Sequence, residues 1–266
     1  MHATSEGGNM CLILFANDCH PRYQLVVAAN RDEFYKRPTL PADFWPDDPD
    51  ILAGKDVKEG GTWMGITRSG EFAALTNYRD PASFKPQAPS RGHLVLDYLK
   101  SGLSPVSYLK NLPDGAQAYN GFNLLAGNLE ALYYYSNREK LIRQAEKGVH
   151  GLSNSLLDVP WPKVKKGILG LTAILQTEEI EVEDLFTLMA DREIPDDKDL
   201  PSTGVGLNME RWLAPAYVIS PDYGTRTTTV LLIERTHKVF FRERSFTVQK
   251  SNLFNEVCYE FDVNQI

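Results

Sequence analysis

Cysteine is scarce in this chain: three residues in 266, at positions 11, 19 and 258. So sparse and odd a set excludes a disulfide framework and suits a reducing compartment, the cytoplasm. No apolar run approaches the ~20 residues that span a bilayer, so no integral membrane segment is expected. Residues 1–9 lack the apolar stretch of a secretory signal and read as a disordered leader or a mis-called upstream start. Clustered basic charge is lacking too: 28 Lys and Arg stand against 35 Asp and Glu, a formal net charge of −7. That argues against a nucleic-acid partner, because phosphate binding draws on grouped cations. Only Lys163, Lys165 and Lys166 fall together, and the expectation for them is a solvated helix face. The five histidines have no paired spacing, so no metal centre is expected. Gly204-Val205-Gly206 lacks the third glycine of a dinucleotide loop, and Gly151-Leu152-Ser153-Asn154-Ser155 lacks the closing glycine of a serine-hydrolase elbow. No cofactor is predicted.

What is present is a β-rich chain interrupted by helices, long enough for one domain over residues 10–266. Residues 11–16 and 24–29 are bulky apolar runs around a turn-rich segment, the pattern of paired strands covered on both faces. Residues 37–56 carry Pro38, Pro41, Pro46 and Pro49 and are expected to be loop, anchored by Trp45. Residues 61–68 and 71–76 form a second hairpin, and 121–126 with 131–135 a third. Helical spacing marks 93–100, 106–112, 161–176 and 182–190. Strands return at 216–220, 227–235, 239–244 and 257–262. Strands, then helices, then strands describe an α+β fold of mostly antiparallel sheets with helices outside.

Cys11 stands directly behind Met10. With Met10 as the first residue, removal of that methionine leaves Cys11 with a thiol and a free α-amino group, whose ordinary pKa values are about 8.5 and about 7.7–8.0. The amine can then serve as general base for the thiol. A cysteine heading an apolar strand is otherwise a plain buried residue. His20 is an alternative base, although a turn histidine beside Pro21 is expected to be exposed.

Eight blocks follow one another in order. They are Met10-Cys11-Leu12-Ile13-Leu14-Phe15, Ala28-Ala29-Asn30-Arg31-Asp32-Glu33-Phe34, Gly61-Thr62-Trp63, Leu75-Thr76-Asn77-Tyr78-Arg79-Asp80-Pro81, Gly121-Phe122-Asn123-Leu124-Leu125, Gly151-Leu152-Ser153-Asn154, Pro160-Trp161-Pro162-Lys163-Val164 and Tyr223-Gly224-Thr225-Arg226. Together they resemble the NRDE family, that of transport and Golgi organization protein 2. Its members normally begin at Met-Cys, whereas this chain carries nine further residues. The family is in turn more distantly similar to N-terminal nucleophile cysteine hydrolases of the choloylglycine-hydrolase and penicillin-acylase type. The resemblance implies a four-layer αββα sandwich, Cys11 as nucleophile and base, and Arg31 beside the thiolate. It also implies Asn77 and Asn154 as oxyanion-hole or substrate-orienting groups, and Arg226 as a second arginine. Taken alone, the two asparagines also fit turn positions, and Arg226 a hairpin.

Asp32 departs from the distant pattern, in which an Arg and an Asp separated by two residues both reach the nucleophile. Adjacent strand residues face opposite ways. Either the strand ends at Asn30 and Asp32 contacts the α-amino group, or only one of Arg31 and Asp32 faces the thiol. Two functions are expected from the resemblance. One is hydrolysis of a non-peptide carbon–nitrogen amide bond in a small, partly apolar substrate. The other is non-catalytic binding or trafficking of haem or of acyl-coenzyme A and lipid on the same fold.

Overall fold

The computed structural model describes residues 11–246 and 253–264. Met10 and the expected leader, residues 1–9, lie outside the described residues. β1 (Cys11–Asn17) and β2 (Tyr23–Phe34) pair antiparallel, with Cys11 opposite Arg31 and Asn17 opposite Leu25. The chain then leaves this sheet and builds a second one by successive antiparallel neighbours. These are β3 (Thr39–Trp45), β4 (Asp48–Asp56), β5 (Met64–Thr67), β6 (Phe72–Asn77), β7 (Phe122–Gly127), β8 (Leu132–Ser136) and β9 (Ile142–Gln144). It returns as β10 (Gly148–Leu152) on the free side of β1, and completes the first sheet with β11 (Tyr223–Glu234), β12 (Lys238–Phe246) and β13 (Phe254–Asp262). The first sheet therefore runs β10-β1-β2-β11-β12-β13.

Strand alternation assigns each side chain to a layer. Ile13, Phe15, Val27 and Ala29 meet Leu52, Ile66, Phe72 and Leu125 in the apolar space between the sheets. Leu12, Leu14, Val26 and Ala28 point the other way, onto Val164 and Leu171 of α4 (Pro162–Ile174) and Leu185, Phe186 and Met189 of α5 (Val182–Met189). On the far side, Ala73, Leu75, Leu124 and Ala126 pack against α1 (Gly92–Ser101) and α2 (Pro105–Asn111). Two short helices, α3 (Pro113–Ala116) and α6 (Leu207–Leu213), lie at the margins. The result is an α+β fold in four layers, αββα, as expected.

Four local expectations are corrected. Residues 37–56 are mostly two strands, not loop: β3 lies at the edge of its sheet, where a missing N–H leaves no ladder bond unmade, and its register shifts between Leu40 and Asp43 around Pro41. Trp45 is buried there and donates its Nε1–H to the Ala53 carbonyl at 2.9 Å. Residues 216–220 contribute only the isolated bridge of Ile219 with Gly224. Lys163 is buried rather than solvated, its Nζ donating to the Leu213 carbonyl at 2.9 Å. His20 is buried in the β1–β2 turn, at the opposite end of β1 from Cys11, where Nδ1 accepts from the amides of Arg22 and Tyr23.

Backbone contact between Gly61 and Gly92 docks the N-terminus of α1 against the start of β5. A Cβ on Gly61 would lie 2.7 Å from the Gly92 carbonyl carbon, and Thr62 N–H donates to the Gly92 oxygen at 3.3 Å. Gly61→Ala should therefore lose about 1–3 kcal/mol, the usual cost of overpacking. A lowered urea midpoint checks it, and an unchanged midpoint would refute the close approach.

Candidate active site around Cys11

A cleft of about 220 Å³ opens where the two sheets end near β1, and Cys11 lies at its inner wall. Cys11 is the first described residue of β1, and its side chain shares the inter-sheet face with Ile13 and Phe15. The strand opposite carries Asn30, Arg31, Asp32 and Glu33 without a break, because β2 runs on to Phe34. Alternation then divides the four residues into two pairs.

Asn30 and Asp32 are turned toward the helix layer. Asn30 is fully buried; its Nδ2 donates to the carbonyls of Met189 and Ala216, each at 2.8 Å, and its Oδ1 accepts from Thr228 at 2.6 Å. Asn30 thus ties β2 to the end of α5 and to the segment before β11. Asp32 Oδ1 accepts from Thr225 Oγ1 at 2.6 Å, whereas the buried Oδ2 has no hydrogen-bond partner among the described residues. Burial pushes the Asp32 carboxyl up and the Lys163 ammonium down, while their mutual attraction opposes both shifts.

Arg31 and Glu33 are turned toward the thiol's side of the sheet. Arg31 Nη2 pairs with Glu33 Oε2 at 3.3 Å, and the same oxygen lies 3.5 Å from Arg37 Nε. Both Arg31 and Glu33 are buried and line the cleft. Burial first, and then the charge of Asp32, push the Cys11 thiol up to about 12; Arg31 and the backbone N–H of Asp32 act against them. A thiol held there is essentially all protonated at neutral pH, and so a poor nucleophile.

Asn77 ends β6 and lines the cleft. Asn154 follows β10, which the β1 pairing holds beside Cys11, but it is not among the cleft-lining residues. Its Nδ2 donates to the Asn77 carbonyl at 2.9 Å, while Ser153 Oγ donates to the Cys11 carbonyl at 3.3 Å. The structure thus places Asn154 behind Asn77. Arg226 falls at the β11 register shift, outside the cleft-lining set, and its Nη1 donates to the carbonyls of Phe34, Tyr35 and Arg37 at 3.0–3.1 Å. It clamps the exit of β2. Cys11, Arg31, Asp32 and Asn77 therefore meet at the cleft, with Asn154 and Arg226 supporting its walls.

Several cleft residues escaped sequence reasoning. Thr227, opposite Arg31 in the ladder, has a buried Oγ1 without a hydrogen-bond partner among the described residues. Glu243 is buried and accepts from Ala42 N–H at 2.8 Å and Thr229 Oγ1 at 3.1 Å. Trp63 and Arg91 complete the outer wall. Period-two counting from Thr225 would have put Thr227 on the helix-layer face, because the register shift between the two residues breaks the alternation; nothing in the linear pattern points to Arg91. No cluster of His, Cys, Asp and Glu able to hold a metal occurs among the described residues. No described helix is long and apolar enough to cross a membrane.

Residues 10–248 match the family model described as Transport and Golgi organisation 2. The chain belongs to that family. It is 38% identical over 273 residues to the Transport and Golgi organization protein 2 homolog of Bos taurus, covering 95% of this chain and 99% of that protein. It is 31% identical to Transport and Golgi organization protein 2 of Drosophila melanogaster, covering 90% and 93%. Among solved structures, a mutant conjugated bile acid hydrolase from Clostridium perfringens overlays with a TM-score of 0.48 at 9% identity, covering 97% of each chain. The Caenorhabditis elegans N-acylethanolamine-hydrolyzing acid amidase ortholog gives 0.39 at 10%, covering 84% and 92%.

Because the Asp32 charge raises the thiol pKa, Asp32→Asn should lower it. The pH dependence of iodoacetamide alkylation at Cys11, followed by peptide mass spectrometry, should shift its rise to lower pH. An unmoved or raised midpoint would contradict this electrostatic arrangement.

Proposed function

We propose that this protein is an N-terminal cysteine hydrolase that cleaves a non-peptide amide bond in a small, partly apolar substrate. The supporting observation is the pairing of two features at one point: Cys11 in the cleft and the unpartnered Asp32 Oδ2 beneath the start of β1. Removal of the residues before Cys11 would create an α-ammonium group at this end of the strand. Such a group supplies a donor for the orphan carboxylate oxygen, and its positive charge draws the thiol pKa down from about 12. In its neutral form the same amine takes the thiol proton.

The reaction then follows from the groups at hand. The Cys11 sulfur attacks the amide carbonyl as its proton passes to the α-amine. The Asn77 side chain, at the mouth of the cleft, is the donor assigned to the developing oxyanion, a contact of ~3 kcal/mol in comparable sites. The protonated α-amine returns the proton to the departing nitrogen, the C–N bond breaks and a thioester remains. Water, activated by the same amine, cleaves the thioester to release the acid. Arg31, fixed by Glu33, holds positive charge beside the thiolate.

The size of the cleft favours this reading over carriage of haem or of a whole acyl-coenzyme A. About 220 Å³ is below the ~300–1,000 Å³ of pockets for drug-sized ligands. Free thiols throughout suit work in the reducing cytoplasm.

The test compares chains beginning at Cys11 with chains that keep residues 1–10, on a panel of N-acyl amides followed by amine release. Turnover is expected only with Cys11 at the N-terminus, and Cys11→Ala should abolish it while leaving the unfolding midpoint in place. Undiminished turnover by Cys11→Ala, or by the chain with its leader intact, would refute the mechanism.

A further inference from the structure

The ionisable side chains around the cleft are unevenly satisfied. The acids there each have at least one partner in the fold, although Asp32 uses only Oδ1. Glu33 faces Arg31 and Arg37, Asp56 faces Arg37, and Glu243 is held by Ala42 and Thr229. Asp32 is held by Thr225, and Glu59 lies 3.9 Å from Lys58. Of the cations, Lys55 lies over the Trp45 ring at 4.4 Å, and Lys85 donates to the Gln117 carbonyl.

Arg91 differs from all of these. It lines the cleft at the N-cap of α1, and burial pushes its guanidinium down to about 10, which still leaves it charged at neutral pH. Nη1 donates to the Gly121 carbonyl at 3.0 Å, and no carboxylate lies within ion-pair distance among the described residues. Nε and Nη2 have no hydrogen-bond acceptor there, so one edge of the fork is left for a ligand. Arg91 is half-buried, and a guanidinium in a cleft without a counter-ion is a charge that a bound anion can pair with. The fork geometry suits two oxygens of one carboxylate or phosphate.

Two independent features point the same way. Thr227, on the inter-sheet wall of the same cleft, is 6% exposed, and its buried Oγ1 has no partner among the described residues, a further hydrogen-bonding group without an occupant. The Gly61–Gly92 backbone contact, with Thr62 N–H on the Gly92 oxygen, fixes the Arg91 backbone at the cleft rim. The Gly61-Thr62-Trp63 block thereby acquires a role: it seats the first turn of α1, whose amide dipoles favour negative charge at that end.

We propose that Arg91 is the specificity-determining residue of this cleft and selects ligands carrying an anionic oxygen group, a carboxylate or a phosphate, close to the atom that meets Cys11. The proposal rests on Cys11 marking the reacting position, but not on hydrolysis taking place there. On this assignment the amide substrate is itself an anion, with its charged end toward α1 and its apolar part along Trp63 and Leu75.

The test uses two alkylating agents of nearly equal size, anionic iodoacetate and neutral iodoacetamide. With each, the Cys11 thiolate displaces iodide and forms a thioether; modification is read at the Cys11 peptide so that Cys19 and Cys258 do not contribute. The iodoacetamide rate reports the accessibility and ionisation of the thiol, so the ratio of the two rates isolates recognition of the carboxylate. Arg91→Gln should lower the ratio roughly tenfold, and Arg91→Lys should retain part of it. An equal ratio in wild type and Arg91→Gln would overturn the assignment. At constant ionic strength, protection of Cys11 from iodoacetamide by inorganic phosphate favours the phosphate form, and protection by acetate the carboxylate form. Protection by neither also overturns it. Since alkylation needs no turnover, charge discrimination without amide cleavage would leave Arg91 in place and remove hydrolysis alone.

Discussion

The site depends on one register: Cys11 opposite Arg31 in the β1–β2 ladder. Given that pairing, the two-residue period of a strand decides everything along β2. Arg31 and Glu33 are delivered to the space between the sheets, Asn30 and Asp32 to the helix layer. A shift by one residue would exchange the pairs, placing an acid beside the thiol and the guanidinium among the apolar side chains of α4 and α5. The surrounding sequence prevents that slip, because Ile13, Phe15, Val27 and Ala29 would have to leave the inter-sheet core at the same time. The apolar packing of the sandwich therefore holds the polar residues in register.

Layering was legible in the sequence because apolar runs, hairpin turns and helical spacing are local signals. The paired strands at the start, the hairpins 64–77 and 122–136 and the helices α1, α2, α4 and α5 all lie where those signals put them. The failures have a common cause. Prolines break a strand only where the ladder needs their missing N–H: Pro41 lies on the edge strand β3, Pro46 in the turn, and Pro49 ahead of the β4–β5 pairing, which begins at Ile51, so the penalty assumed for them was absent. Lys163 looked solvated because a lysine run reads as surface; in the fold its Nζ is buried on the Leu213 carbonyl and feels the charge of Asp32, both far away in the chain.

The site divides in the same way. Cys11 and the Asn30-Arg31-Asp32-Glu33 segment stand out in the sequence, and so does Thr225 through its block. Yet their division of labour needs the pairing of β2 with β11, which supplies Thr225 to Asp32 and Thr228 to Asn30. Gly224 makes that approach possible: a Cβ there would come within 2.5 Å of the Val218 carbonyl oxygen. Arg226 carries a charge that invites a catalytic reading, but three backbone carbonyls already surround its Nη1. The partners of such a charged residue, and not its place in a block, tell a brace from a reactant.

The return of the chain at β10 bears on how the molecule comes together in time. Ser153 and Cys11, joined by a hydrogen bond, are 142 positions apart, and the whole second sheet is strung between them. Within that second sheet every pairing joins strands consecutive in the chain, and all but β6–β7, which has α1 to α3 between its strands, are short connections that close at little entropic cost. The β1–β10 seam has to wait for it. One flank of β1 thus stays an open edge until late in folding, and the wall that carries Asn154 is among the last parts to arrive. During synthesis β1 emerges well before its β10 partner, which keeps the Cys11 thiol from acquiring its full setting in a half-made chain.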